Sequence, residues 1–454
     1  SSTNFFEKLN NILELKKKNK KKFNYKYENK ILDNNVFILI RFTFKYISYF
    51  FNFLLIKYFI KNDNNKTNLR ILFHSPISDN TNNIRLDNYF YKIYKYLDNN
   101  KNKYLIIPWI FSGRNRFKLH IKFQKMKYNF YIKEKNISLK ELIFYSFIFF
   151  TKKSIHNGTN INSIKIKDIL NKEEKKRLID FDCFDFYLLA KSLEKYLNNL
   201  KNEITYIDTI ERSGNELCFL KKESLNKINL KIVQHTYFGE NQINYYLKNR
   251  IVVKPKSTNI ICSSKRAINF FKKQKLNKIT IKPGINLRQN IKINKNNHKN
   301  KIQICVLLPL DHVYAKELID FLNKEKKLEK FLFIIKPHPL YRDRAKLNKR
   351  NLLLDTNSKL EDILFKSDIA IGISTASLID AALHNLNIIN IKSDKNINVN
   401  PFYLFGNRYR DFLLKNKKNL NTILENFFKS KKNNNIRKII LNDFCKFSNI
   451  RNYL

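Results

Sequence analysis

Apolar residues in this chain fall into short, nearly continuous runs, separated by longer segments whose apolar positions recur about every 3.6 residues. The runs "LRILFHS" (69–75), "KYLIIPWIFS" (103–112), "EITYIDTIE" (203–211), "LKIVQHT" (230–236), "TNIICSS" (258–264) and "KITIKPGIN" (278–286) predict one series of strands. A second series follows in "IQICVLLPL" (302–310), "FLFIIKP" (331–337), "NLLLD" (351–355), "DIAIGIS" (368–374) and "LNIINIK" (386–392). Helical spacing separates the strands, as in "RLDNYFYKIYKYLDNN" (85–100). Strands apolar on both faces belong in parallel sheets covered on both sides. The expected fold class is therefore α/β, with two doubly wound, Rossmann-like units and a ligand cleft between them at the carboxyl ends of the strands.

The same pattern predicts a domain layout. Residues 1–66 form a basic N-terminal segment, within which residues 36–60 are the most apolar stretch of the chain. That stretch is long enough to cross a bilayer, but Arg41, Lys45 and Lys57 interrupt it. Each charge near mid-span costs about 2.5–3.5 kcal/mol on insertion scales, so a core-packed or membrane-surface helix is the stronger expectation. Residues 67–285 form the acceptor-side unit, with a helical insertion near 120–200. Residues 286–301 read as a linker, 302–410 as the nucleotide-binding unit and 411–454 as closing helices. Gly284 and Arg288 lie at the approach to the linker, where Gly284 is expected to permit a turn.

Composition changes this picture in three places. The formal charge is +50, which suggests an anionic partner, but lysine is spread along the whole chain among Asn and Ile and marks no particular face. Only seven glycines occur, where average usage gives roughly thirty, and no two lie within ten residues. A glycine-rich dinucleotide fingerprint or Walker loop is thereby excluded. Five cysteines without CxxC spacing argue against a zinc site or disulfide framework and for a reducing cytosol.

Two motifs carry candidate chemistry. In "SDIAIGISTAS" an apolar strand leads directly into Ser374, Thr375 and Ser377 at the start of a helix, where backbone N–H groups and hydroxyls suit a phosphate. An ordinary helix cap needs the same residue types. In Lys336-Pro337-His338-Pro339 the flanking prolines stop a strand and fix the direction of an imidazole, with Lys336 supplying positive charge. The two motifs are expected on neighbouring strand ends as a pair. A third pattern, "DFDCFD" (180–185), contains a DxD sequence but sits in helix-like surroundings, so acidic residues at a helix start explain it better than a metal site.

"IIKPHP", followed by "LEDILFKSDIAIGISTASLIDAALHNLNIINI", resembles the nucleotide-binding half of GT-B glycosyltransferases of bacterial surface carbohydrate (capsule and lipopolysaccharide) synthesis. The nearest likenesses are HP-motif sialyltransferases using CMP-sialic acid and CDP-glycerol glycerophosphotransferases. The resemblance implies that His338, Ser374 and Thr375 hold the phosphate and ribose of a donor nucleotide. "TYIDTIERSGNELCFLKKESLNKINLKIVQHTYFGENQINYY" resembles the acceptor half of such proteins, with Glu211 and His235 as candidate catalytic bases and Glu216 as a positioning residue. The chain lacks the glycine these relatives place after the strand-end histidine, having Thr236 there.

The expected function is transfer of a sugar or polyol phosphate from a CMP-, CDP- or UDP-activated donor to a surface polysaccharide or lipid-linked acceptor. Neither metal nor cofactor is expected, and the expected place is the cytoplasm, peripherally at the inner face of the plasma membrane. A nucleotide-sugar epimerase or hydrolase would use the same phosphate grip with additional acid–base residues. A nucleic-acid-binding protein would account for the charge, but it does not predict the paired motifs.

Overall fold

The structure is a computed structural model. It describes residues 35–61, 70–76, 90–100, 103–110, 116–126, 128–151, 160–161, 164–165, 181–200, 202–234, 245–247, 255–285, 287, 303–338, 347–393, 401–405, 413–414, 417–429, 434–445 and 447–453. His235, Arg288 and the rest of the linker apart from Leu287, which is buried in the core of the first sheet, lie outside the described residues.

Two separate six-stranded sheets contain all the strands expected from the apolar runs. The first is built from β1 (Ile71–Pro76), β2 (Tyr104–Trp109), β5 (Ile204–Thr209), β6 (Ile228–Gln234), β7 (Ser257–Cys262) and β8 (Ile279–Pro283). Its spatial order is β2-β1-β5-β6-β7-β8, and every pairing is parallel. A short antiparallel hairpin, β3 (Asn160–Ile161) with β4 (Ile164–Lys165), stands apart from both sheets.

The second sheet contains β9 (Gln303–Leu307), β10 (Leu332–Lys336), β11 (Leu352–Leu354), β12 (Ile369–Gly372), β13 (Asn387–Ile391) and β14 (Leu413–Leu414). Its order is β11-β10-β9-β12-β13-β14, again wholly parallel. Counted along the chain this is 3-2-1-4-5-6, the doubly wound order in which direction reverses between the first and fourth strands. β14 is a two-residue edge strand within a stretch that reads from sequence as helix.

The strands are buried on both faces because their side chains are apolar at successive positions. Leu72 and Tyr206 face one layer of the first sheet, while Ile71, Phe73 and Ile207 face the other. The second sheet divides in the same way, with Ile304 and Val306 on one side and Cys305 and Leu307 on the other.

A helical layer lies against the first unit. Helix α1 (Asn35–Phe59) buries Tyr49, Phe53 and Ile56. Tyr49 and Phe53 pack with Leu142, Phe149 and Phe184, which come from the later helices Leu139–Thr151 and Asp182–Asn198. Polar ties fix α1 in place. Tyr49 Oη donates to Asp185 at 2.6 Å, and Lys57 Nζ donates to the Ile137 carbonyl at 2.7 Å.

The end of the chain returns to the first sheet. Cys445 N donates to Ser263 O at 3.0 Å, Arg266 N donates to Asp443 Oδ1 at 3.1 Å, and the fully buried Tyr453 hydroxyl accepts from Ile285 N at 3.2 Å. Here Gly284 has a role other than the expected turn. A Cβ on it would collide with the Tyr453 hydroxyl and lie 2.7 Å from Ile261 Cγ2, so glycine is needed for the close approach of the returning segment.

Candidate active site

Each sheet places polar groups at the carboxyl end of its strands, at the point where strand order reverses. In the first sheet the reversal falls between β1 and β5. His74, only 1% exposed, lies in the carboxyl-terminal half of β1, and the fully buried Asp208 is the penultimate residue of β5. The turn after β5 is held by the Asp208 carboxylate, which accepts from Thr209 N and from Gly214 N, each at 2.8 Å. Gly214 itself sits at φ +68°, where a side chain would be strained. This turn delivers Arg212 and Glu216 back beneath the strand ends.

Glu216 is the hub of the resulting cluster. Its Oε1 lies 2.8 Å from His74 Nδ1, and its Oε2 accepts from Arg212 Nη2 at 2.6 Å. The Tyr206 hydroxyl also donates to Glu216 Oε1. A carboxylate of this kind only accepts, so His74 presents a proton on Nδ1 to Glu216. Arg212 is sandwiched between Trp109, at 4.5 Å, and Phe186, at 4.2 Å.

Burial and then the Glu216 charge push the Asp208 carboxyl up to about 6. Burial acts the same way on Glu216, but His74 and Arg212 outweigh it and hold Glu216 well below the usual carboxylate range. His74, Asp208 and Glu216 offer ligand atoms within 4.8 Å of one another, close enough to surround a cation. Arg212 supplies one positive charge there, 2.6 Å from Glu216 and 3.7 Å from Asp208.

His74 lines a small pocket along with Trp109, His120, Lys133, Glu134 and Asp185. Asp185 is a second hub. It accepts from Arg116 at 2.6 Å and from the Tyr49 hydroxyl, and pairs with Lys133 at 2.9 Å. Burial raises its carboxyl, but Arg116 and Lys133 more than reverse this. His120 is 3% exposed, and burial pushes its imidazole down to about 4. Its Nδ1 and Glu134 Oε2 meet no hydrogen-bond partner among the described residues.

Of the acceptor-side residues expected from sequence, Glu216 belongs to the cluster and Glu211 stands outside it. Glu211 is half-buried on the turn, accepts from the Tyr245 hydroxyl at 2.8 Å and is not among the residues lining the pocket. Within the DxD stretch, Asp182 and Asp185 occupy the first turn of the helix Asp182–Asn198. Sequence reasoning missed His74, Asp208 and Arg212. The available signals were a histidine ending an apolar run, in "ILFHS", and the four-residue spacing of Asp208, Arg212 and Glu216.

In the second sheet the reversal lies between β9 and β12. His338 follows β10 by two residues, and Ser374 follows β12 by two. They do not sit on neighbouring strands as expected, because β9 pairs with both β10 and β12. Two inter-strand steps put their backbones about 10 Å apart across the end of β9. A ligand touching both lies over the reversal point.

Burial pushes the His338 imidazole down to about 4, so it is neutral at pH 7. Ser374 adopts φ +50°, an uncommon conformation for a residue with a side chain. The turn is tight enough that a Cβ on Gly372 would lie 2.6 Å from Thr375 Cγ2 and 3.3 Å from the Leu307 carbonyl. The Thr375 hydroxyl accepts from Ser377 N at 3.4 Å, a local turn contact just before the helix Ser377–Leu383. Lys336 is turned away from this group, and its Nζ donates to the carbonyls of Asp355, at 3.3 Å, and Ser358, at 2.5 Å.

No family model matches the sequence, and a search of curated proteins found no match. Solved structures with a similar course include glycosyltransferases. One from Rickettsia africae ESF-5 is 14% identical, covering 84% of this chain and 95% of its own, with TM-score 0.44. The wall teichoic acid polymerase TagF is 10% identical, covering 92% and 96%, with TM-score 0.40. MurG from Acinetobacter baumannii is 11% identical, covering 79% and 91%, with TM-score 0.37. At such identities and scores the function has to be argued from the chain's own residues.

Proposed function

We propose that the chain is a glycosyltransferase-like enzyme that moves a sugar, or a polyol phosphate, from a CMP-, CDP- or UDP-activated donor to a surface glycan or lipid-linked acceptor. One observation carries this reading. Both parallel sheets present polar groups at the carboxyl-end reversal point, where doubly wound sheets bind ligands. One set suits an anion and the other suits base catalysis, so a donor and an acceptor can be bound by different units.

In the second unit His338 and the hydroxyls of Ser374, Thr375 and Ser377 take the donor phosphate and ribose. A neutral imidazole donates one hydrogen bond to a phosphate oxygen without needing to be charged. In the first unit His74 is the general base, in place of Glu211, whose carboxylate is engaged by Tyr245. Glu216 is the positioning residue that fixes the His74 tautomer. His235 remains a candidate for the acceptor side.

In the transfer step the acceptor hydroxyl gives its proton to His74 Nε2 while its oxygen bonds to the donor's reacting carbon or phosphorus. The bond from that atom to the nucleotide phosphate breaks, and its electron pair leaves with the phosphate. His338 and the serine and threonine hydroxyls then hydrogen-bond the extra negative charge.

The test is release of free nucleotide from CMP-sialic acid, CDP-glycerol and UDP-glucose, with and without a mixed glycan acceptor. Acceptor-dependent release from one donor is expected. His74→Ala should lower kcat on the order of 100-fold or more while leaving donor KM near wild type. Acceptor-independent release would favour a hydrolase, and no release from any donor would remove the transferase reading.

A further inference from the structure

Helix α1 buries one side and leaves the other bare. Phe44, Ile47 and Phe51 are 60–72% exposed and follow one another at spacings of three and four, which makes a single stripe. The helix Leu139–Thr151 repeats the pattern with Ile143, Phe144 and Phe147 outward, at 57–67% exposure. The two helices touch through Phe42 and Phe150, which pack edge-on at 4.9 Å, with Phe42 on the side of α1 away from its stripe and Phe147 one turn before Phe150. Exposed apolar surface on this scale marks a binding face.

The charges on this face select its partner. Arg41, Lys61 and Lys140 are exposed at its margins. Helix α1 contains no Asp or Glu, and Glu141, the one acid in the other helix, is paired with Lys195. A second copy of a chain carrying +50 would bring cations onto cations with no acid to meet them. An anionic bilayer offers the complementary combination, acyl chains for the aromatic residues and headgroup charge for the lysines and arginine. The ties from Tyr49 and Lys57 to the body of the first unit keep α1 lying on the domain, so it enters the interface lengthwise and does not cross the membrane.

We infer that the outward faces of Asn35–Phe59 and Leu139–Thr151 together form a docking surface for an anionic membrane. The inference is independent of the transfer reaction. The test is flotation of the full chain with phosphatidylglycerol–phosphatidylcholine vesicles, and with phosphatidylcholine vesicles alone, at physiological salt. Binding to the anionic vesicles is expected. The triple variant Phe44→Asp, Phe51→Asp, Phe147→Asp should lower partitioning at least about tenfold with the unfolding midpoint retained, because these side chains are already in water.

Arg41→Ser and Lys140→Ser supply a milder pair of variants, expected to cost roughly fivefold per charge. Nucleotide release from a soluble donor should be unchanged in all of them, which separates a failure here from a failure of the transferase reading. Absence of wild-type binding, or binding indifferent to these substitutions, overturns the inference. So does lipid-free self-association that the triple variant abolishes, since a second copy would then be the occupant.

Discussion

Removal of Arg212 should expose how the acceptor-side cluster is held together. Arg212 is 5% exposed, donates to Glu216 at 2.6 Å, lies 3.7 Å from Asp208 and stacks between Trp109 and Phe186. Arg212→Met keeps the bulk between the two rings but strands two buried carboxylates. Breaking a buried ion pair from one side costs about 3–5 kcal/mol. At 2–4 °C per kcal/mol for a unit of this size, the melting midpoint should fall by about 10 °C.

The loss should also depend on pH in a definite direction. Asp208 titrates near 6 when folded, against a usual value of 3.8. As pH rises from 3.8 to 6 the unfolded chain releases that proton first, so this group's contribution to stability declines across the window. Without Arg212 the folded value moves still higher, and the window widens toward higher pH. The deficit between variant and wild type, followed by circular dichroism melts, should therefore be larger at pH 8 than at pH 5. Adding Asp208→Asn should restore part of it. A shift under 3 °C, or one equal at pH 5 and pH 8, would refute the picture of Arg212 as the charge that balances this cluster.

Two other expectations are simpler. His120 titrates near 4 when folded, against 6.5 unfolded, so the stability held by its neutral form is fully present above pH 6.5 and lost as pH falls toward 4. His120→Leu should flatten that acid limb, worth roughly 3 kcal/mol, in urea titrations across the range. Ser374→Gly relieves the φ +50° conformation and should not lower the melting midpoint. It should still weaken nucleotide binding about tenfold by calorimetry, because a hydrogen bond to a charged phosphate is lost; unchanged affinity would reduce Ser374 to a turn residue.

The strands of both sheets were legible because Ile, Leu, Val and Phe occupy successive positions in each, and both faces of each sheet are indeed covered. Strand order was not legible, since pairing of β9 with both β10 and β12 depends on contacts between distant segments. For that reason His338 and Ser374 read as neighbours although a strand separates them. His74 was missed for a related cause. Alone it is a histidine at the end of an apolar run, and only its contact with Glu216, 142 residues later, gives it an orientation and a proton position. Glu211 looked equally placed in sequence, but the turn after β5 points Glu216 inward and leaves Glu211 to Tyr245.

The central claim is that the carboxyl end of the second sheet holds a nucleotide through His338 and Ser374. Isothermal titration of the full chain with CMP, CDP and UDP tests it most directly, alongside His338→Ala and the double variant Ser374→Ala/Thr375→Ala at unchanged melting midpoint. The account predicts that one nucleotide binds wild type in preference to the others and that both variants lose at least about tenfold in affinity. Absence of binding by any of the three, or binding that survives both variants intact, would contradict it.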